Sequence, residues 1–175
     1  MKQSEKTRLM IMTALFAALI FIATRMNIPL GINNRIIHVG DAALYLAACI
    51  LPMPYAMISG AIGAGLADFM TPGGAVWIIP TMIIKPLLAA FFTSQAGKFI
   101  CKRNIAALIL AGITGLAGYA IAEGIIFGNF IVAIIGIPAA ALQPIGSAVI
   151  FVLIAYAFDA MKLKVYLIRQ LKGNG

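Results

Sequence analysis

The stretch Ala42-Ala-Leu-Tyr-Leu-Ala-Ala-Cys-Ile-Leu-Pro-Met-Pro-Tyr-Ala-Met-Ile-Ser-Gly-Ala-Ile-Gly-Ala-Gly-Leu-Ala-Asp-Phe69 decides the fold of this chain. It runs for 28 residues with a single charge, Asp68. One membrane span needs roughly 20 apolar residues, so the stretch is either one long tilted helix or two short ones. Its middle, Leu51-Pro-Met-Pro-Tyr55, is typical of a helix-breaking turn. The pattern favours two short helices joined at Pro52–Pro54.

The rest of the chain is as apolar as this stretch. Of its 175 residues, 63% are hydrophobic and 10% are charged, whereas soluble domains average about 25% charged residues. The composition predicts an all-α integral membrane protein with a single domain. The first apolar stretch is interpreted as a membrane helix rather than a signal peptide, because no A-x-A-like cleavage site leads into a soluble domain.

The cations predict the topology. Ten of the 13 fall in three segments, the N-terminal tail, residues 97–104 and the C-terminal tail: Lys2, Lys6, Arg8, Lys98, Lys102, Arg103, Lys162, Lys164, Arg169 and Lys172. The positive-inside rule places all three segments in the cytoplasm. The chain must then cross an even number of times before residue 97, which requires two crossings from the 42–69 stretch. We predict six spans with both termini cytoplasmic, at roughly 9–26, 41–53, 55–69, 75–96, 105–127 and 138–159.

This topology places the polar residues of the membrane region in the outer half, around a cup that opens outward. Residues 27–41, 70–74 and 128–137 are expected to form outer loops. Two faces carry aromatic and polar groups at helical spacing, one with Trp77, Thr81 and Lys85 and one with Tyr119, Glu123 and Phe127. Such a lining suits a flat heterocycle. The candidate substrate-binding residues are Lys85, Glu123, Trp77, Thr81, Asp68, Asp41, His38, Tyr119, Asn129 and Gln143.

Several of these residues also have purely structural interpretations. Lys85 and Glu123 reach furthest into the membrane and are the first candidates for ligand contact, yet they could instead form an ion pair. Asp41 could be a helix N-cap, and Asp68, at the outer end of a helix, could equally cap that helix or close the loop. His38 could be a hydrogen-bonding residue of the outer loop. No metal site is expected from the lone histidine and two distant cysteines, and no cofactor is predicted.

Known catalytic motifs do not occur in the sequence. It contains no G-x-x-x-x-G-K-[ST], no G-x-S-x-G and no H-E-x-x-H, so we do not expect an enzyme. Nucleic-acid binding is not expected either, because the cations lie at helix ends without interleaved aromatic residues. The residues indicate a binding protein that needs a partner to move its ligand.

Four motifs resemble those of the substrate-binding S components of energy-coupling factor (ECF) vitamin transporters. The segment His38-Val-Gly-Asp-Ala42 resembles the H-x-G-D-A opening of the second helix of that family. Gly60-Ala-Ile-Gly-Ala-Gly-Leu-Ala-Asp68 is similar to its third helix, and Trp77-Ile-Ile-Pro-Thr-Met-Ile-Ile-Lys85 to its fourth, with one extra residue between Trp and Pro. Ala14-Leu-Phe-Ala-Ala18 resembles the A-x-x-x-A patch of its first helix. The resemblance is strong in helices 2 to 4 and weak in helices 5 and 6.

The resemblance implies a function and its partners. Such proteins bind a vitamin or precursor in the outer half of the prokaryotic cell membrane, and they dock on a transmembrane coupling subunit and two cytoplasmic ATPase subunits. Ala14 and Ala18 would contact the coupling subunit. The pattern is most similar to the hydroxymethylpyrimidine or pyridoxine branch, followed by riboflavin and queuosine-type deazapurines. Two other hypotheses stay open, a proton-coupled secondary carrier of a small metabolite and a non-transporting membrane scaffold.

Overall fold

A computed structural model describes residues 3–29 and 36–172, and nearly all of this part is helical. The predicted helical class is confirmed, with the addition of one short hairpin. The elements in chain order are α1 (Gln3–Arg25), β1 (Asn27–Pro29), β2 (Ile36–His38), α2 (Gly40–Ile50), α3 (Met53–Phe69), a 3-10 helix (Gly74–Trp77), α4 (Ile78–Ala90), α5 (Lys102–Phe127), α6 (Phe130–Ala140), α7 (Leu142–Ala160) and α8 (Leu163–Lys172). Lys2, the side chain of Lys172 and residues 30–35 of the predicted outer loop lie outside the described part.

Within the described ranges, three helical segments are long and apolar enough to cross a membrane. They are α1, α5 and the stretch Phe130–Ala160, which comprises α6 and α7. The segments Gly40–Ile50 and Gly74–Ala90 are shorter apolar helices. A helix of 11 residues such as α2 rises only about 16 Å, about half the thickness of the hydrocarbon core. The helices therefore fit a membrane protein in which some spans are short.

The helix is interrupted at the proline pair, as predicted. Helix α2 ends at Ile50, and α3 begins at Met53 with Pro52 as its N-cap. Every residue of α2 is buried, and this helix contacts α1, α3, α4, α7 and α8. A helix that is apolar on all sides is expected to be surrounded by other elements. Helix α2 is therefore the centre around which these five helices pack.

Helix α3 approaches α1 closely because of a glycine. A β-carbon at Gly63 would lie 2.5 Å from the carbonyl oxygen of Ala17 on α1. No side chain larger than hydrogen fits there without movement of one backbone. Small residues at such positions are the usual means by which membrane helices pack tightly.

Two boundaries differ from the prediction. Residues 128–137, predicted as an outer loop, contribute most of helix α6, which begins at Phe130 and contacts α5. The fourth predicted span runs to residue 96, but α4 ends at Ala90. Counting membrane crossings could not reveal α6, because only segments that pass from one side of the membrane to the other enter the count.

The segment after α4 is held by side chains rather than by regular structure. The Asp159 carboxylate accepts hydrogen bonds from the backbone N–H groups of Phe99 (2.7 Å) and Ile100 (2.9 Å). The fully buried Asn104 accepts from the Thr93 N–H at 2.9 Å and donates to the Phe99 carbonyl at 2.8 Å. These bonds satisfy backbone groups that would otherwise be buried without partners.

The cation-bearing segments meet at one end of the bundle. Arg8 on α1 donates to the Gln170 carbonyl of α8 at 2.7 Å. Lys164 on α8 donates to the carbonyls of Thr93 (3.3 Å) and Lys98 (3.2 Å). The N-terminal, central and C-terminal basic segments are thus neighbours in space.

Candidate substrate-binding site

A cavity of about 330 Å³ brings together nine of the ten predicted substrate-binding residues. They come from β2 and from helices α2 to α5 and α7, together with the 3-10 helix. The nine are His38, Asp41, Asp68, Trp77, Thr81, Lys85, Tyr119, Glu123 and Gln143. Seven elements of the chain therefore converge on one space.

The deepest polar feature of the cavity is an ion pair between Asp41 on α2 and Lys85 on α4. The Lys85 Nζ and Asp41 Oδ1 atoms are 2.5 Å apart, and each residue is only 5% exposed. The interpretation in which Lys85 pairs with Glu123 is therefore wrong. Asp41 is also not an N-cap, since Val39 occupies that position. Buried charges are normally paired in this way because an isolated charge is very costly in an apolar interior.

Gln143 on α7 is hydrogen-bonded to the segment that leads into α2. Its Oε1 accepts a hydrogen bond from the His38 N–H at 3.0 Å, and its Nε2 donates to the His38 carbonyl at 2.8 Å. The same amide nitrogen lies 3.4 Å from Asp41 Oδ2. A single amide side chain thus satisfies both backbone groups of His38 and supports the ion pair.

The His38 ring is neutral at physiological pH. Its burial lowers the imidazole pKa to about 4, with the nearby Asp41 acting in the opposite direction and Lys85 lowering it further. The expectation that His38 forms hydrogen bonds in the outer loop fits its two backbone bonds to Gln143. The cavity therefore gains no positive charge from this residue.

Aromatic groups form one wall of the cavity. The Trp77 and Tyr119 ring centroids are 6.1 Å apart, and Lys85 Nζ lies 5.2 Å from the Tyr119 centroid. The hydroxyl groups of Thr81 and Tyr119 are hydrogen-bonded to one another at 3.1 Å. Aromatic faces at these separations can pack against a flat ring, while the hydroxyls stay close to its edge.

Two carboxylates on the cavity have no cation in contact. Asp68 Oδ2 is buried and has no hydrogen-bond partner among the described residues. Glu123 is half-buried, and the one ion pair that the described residues form is that of Lys85 with Asp41. The charged lining therefore consists of one ion pair, Asp41 with Lys85, and two carboxylates that are not paired with a cation.

Asn129 does not line the cavity. It is the N-cap of α6, where its Oδ1 accepts a hydrogen bond from the Val132 N–H at 3.1 Å. This is the ordinary role of asparagine at a helix start. The prediction that Asn129 belongs to the site came from treating the α6 segment as a loop.

One side of the cavity is lined by residues that were not predicted. Tyr45, one helical turn after Asp41, lines the cavity and stacks on Phe92 with ring centroids 4.7 Å apart. Its spacing from Asp41 could have indicated this position. Helix α6 contributes a wall of small and apolar residues, Ala133, Gly136, Ile137, Ala139 and Ala140. No polar signal marked them in the sequence.

Ala14 and Ala18 lie away from the cavity, on the outer surface of α1. Both are exposed, as are the larger apolar neighbours Leu15 and Leu19. This face of α1 is free of contacts within the described protein and is available to lipid or to another membrane subunit.

A comparison with protein-family models identifies the chain. A model described as ECF-type riboflavin transporter, S component, matches residues 4–160. The chain belongs to this family. No curated protein and no solved structure matches the chain. The resemblance seen in the sequence motifs is thereby confirmed.

Membership of the family establishes the broad function. ECF S components are membrane-embedded, substrate-binding subunits of vitamin uptake systems, and they work with a coupling subunit and ATPase subunits. The family is a transporter family and not an enzyme family. The apolar helices of this S component agree with insertion in a membrane.

Proposed function

We propose that this S component binds a small, flat, water-soluble vitamin or heterocyclic precursor with high affinity in the 330 Å³ cavity. The observation that carries the proposal is the convergence of nine predicted polar and aromatic residues on that one space. A volume of this size is at the lower end of the usual range for small-molecule sites. An apolar wall with a few fixed polar groups on the opposite side is also typical of such sites.

Bonds among the lining side chains hold the site together. The ion pair of Asp41 and Lys85 and the bonds of Gln143 link α2, α4 and α7. Fixing these side chains in advance reduces the ordering cost of binding, which supports high affinity.

We further propose six membrane spans, formed by α1, α2, α3, α4, α5 and α7, with both termini in the cytoplasm. The support is that Arg8, Lys98 and Lys164 meet at one end of the bundle, where the positive-inside rule requires the cytoplasm. The cavity would then open to the outside of a prokaryotic plasma membrane. Cysteine labelling from each side of the membrane would test this topology.

Riboflavin is the first ligand to test, because the family description names it. The motif resemblance favours hydroxymethylpyrimidine or pyridoxine, so these two come next. All three are ring compounds with several N–H or O–H groups, which suits a cavity with open acceptors. The sequence-based order of substrates is still a prediction.

The test is direct binding to the purified chain in detergent. Riboflavin, pyridoxine, hydroxymethylpyrimidine and a deazapurine would each be titrated, with thermal unfolding measured in parallel. A ligand present at 100 times its Kd should raise the apparent free energy of unfolding by about 2.7 kcal/mol. Replacing Thr81 by Val should weaken binding, whereas Lys102→Met, an exposed lysine outside the cavity, should not change it. If no compound in the panel shows saturable binding, the proposal is wrong.

Transport is proposed to require the coupling subunit and two ATPase subunits. The exposed alanines of α1 permit close approach of another helix. Ala14→Leu and Ala18→Leu should therefore reduce ATP-driven uptake and leave ligand affinity unchanged. Uptake by the chain alone in liposomes under a pH gradient would instead support the proton-coupled carrier.

A further inference from the structure

Carboxylates outnumber cations around the cavity. Asp41, Asp68 and Glu123 all line it, whereas Lys85 is the one basic side chain among its lining residues. The Lys85 charge is already matched by Asp41 at 2.5 Å. His38 adds no charge, because its burial lowers the imidazole pKa to about 4. Asp68 and Glu123 therefore give the lining an excess of negative charge.

The clearest open position in this lining is an oxygen of Asp68. The Oδ2 atom is buried and has no hydrogen-bond partner among the described residues. A buried acceptor without a donor is unfavourable, because it has lost its water without gaining a replacement. Such an atom beside a cavity points to a donor that arrives from the cavity.

Neighbouring donors of the protein leave Oδ2 of Asp68 unpaired. The hydroxyls of Thr81 and Tyr119 bond to each other at 3.1 Å, and Thr81 also hydrogen-bonds the Asp68 carboxylate. The Lys85 ammonium is bonded to Asp41, and Arg25 donates to the Thr71 hydroxyl at 2.7 Å. The Oδ2 atom is thus available to a donor on a ligand.

We propose that Asp68 accepts a hydrogen bond from an N–H or O–H group of the ligand and, with Glu123, selects ligands that carry donors or positive charge on this edge. Phosphorylated forms of the same vitamin are disfavoured, since a phosphate would enter a cavity whose lining carries two carboxylates without a paired cation. This inference rests on the proposed function of the cavity. Asp68, rather than Lys85, is thereby assigned as the polar group that hydrogen-bonds the ligand and determines its selectivity.

The test compares paired probes on purified protein, riboflavin with flavin mononucleotide and pyridoxine with pyridoxine 5′-phosphate. On the unmodified chain the unphosphorylated partner should bind at least about 100-fold more tightly. Asp68→Asn keeps the size of the side chain but replaces one acceptor oxygen with a donor. We expect it to weaken binding of the unphosphorylated probe by about tenfold and to reduce the preference over the phosphorylated probe by a similar factor.

Control measurements distinguish failure of the proposed function from failure of the role of Asp68. Glu5→Gln removes an acidic side chain that does not line this cavity, and it should leave both affinities unchanged. Thermal unfolding of each variant shows whether it is folded. If the unmodified chain binds neither probe pair, the role of Asp68 is refuted, and if it binds no compound of the full panel, the proposed function fails as well. If it binds one pair but shows no preference, or if Asp68→Asn binds with unchanged affinity and preference, the role of Asp68 is refuted while the proposed function stands.

Discussion

Replacing Lys85 with methionine should destabilise this protein far more than an ordinary lysine substitution. The ammonium of Lys85 lies 2.5 Å from Asp41 Oδ1, and both residues are 5% exposed. Methionine retains most of the volume and removes the charge. Asp41 would then be left as a buried carboxylate, with the Gln143 amide at 3.4 Å as its remaining side-chain donor.

Two estimates set the magnitude. Removing one partner of a buried ion pair costs about 3–5 kcal/mol, because the other charge stays buried without compensation. The Coulomb attraction of two unit charges at the 2.5 Å separation of this pair is about 6–7 kcal/mol at an effective dielectric constant of 20, which sets an upper limit. We therefore expect Lys85→Met to lower the free energy of unfolding by about 4 kcal/mol.

Removing both charges should be much less harmful than removing one. The double variant Asp41→Asn with Lys85→Met leaves no buried charge without a partner, and paired removal of this kind is often close to neutral. We expect it to recover all but about 1–2 kcal/mol of the unmodified stability. The coupling energy from the double-mutant cycle should then be about 3 kcal/mol or more.

The assay is equilibrium unfolding of the ligand-free chain in detergent, followed by circular dichroism. Lys102→Met is the matched control, because Lys102 is exposed at the start of α5 and its loss should cost no more than about 0.5 kcal/mol. If Lys85→Met unfolds like Lys102→Met, or if the double variant is as unstable as the sum of the two single variants, the pair is not the buried link described here.

Two further predictions concern packing and pH. Gly63→Val should destabilise the fold by about 1–3 kcal/mol, since a β-carbon there meets the Ala17 carbonyl oxygen, whereas Gly97→Val, with no atom within 4 Å of the added carbon, should change it little. Equal unfolding of the two variants would contradict the close approach of α1 and α3. Lowering the pH from 6.5 towards 4 should destabilise the ligand-free protein by at most about 3 kcal/mol, because the unfolded His38 binds a proton in this range and the buried ring, with a pKa of about 4, does not. His38→Gln should flatten this part of the pH profile, and parallel profiles for both proteins would refute the assignment to His38.

Local spacing accounts for much of what the sequence could predict. Trp77, Thr81 and Lys85 share a face because the period of a helix is fixed, and all three line the cavity. The same argument placed Tyr119 and Glu123 together. The break at Pro52 is equally local, since proline cannot continue a helix without losing a hydrogen bond.

Relations between helices could not be obtained in this way. Lys85 had several carboxylates as conceivable partners, and only the packing of α4 against the buried α2 decides for Asp41. Helix α6 was missed because it is apolar and its segment was needed only as a connection in the crossing count. Its small residues then complete the cavity, so the error in the fold became an error in the site.

The ion pair of Lys85 with Asp41 changes which charged residue is expected to contact the ligand. Lys85 and Glu123 were the first candidates for ligand contact, and Asp41 and Asp68 were equally well explained as residues at helix ends. Because Asp41 already neutralises Lys85, a ligand contact at that ammonium would satisfy no unpaired group. Asp68 has the opposite energetics, because a donor from the ligand would satisfy an oxygen that the protein leaves open. The group most easily stabilised by a ligand is therefore the one that the sequence alone could not distinguish from a helix end.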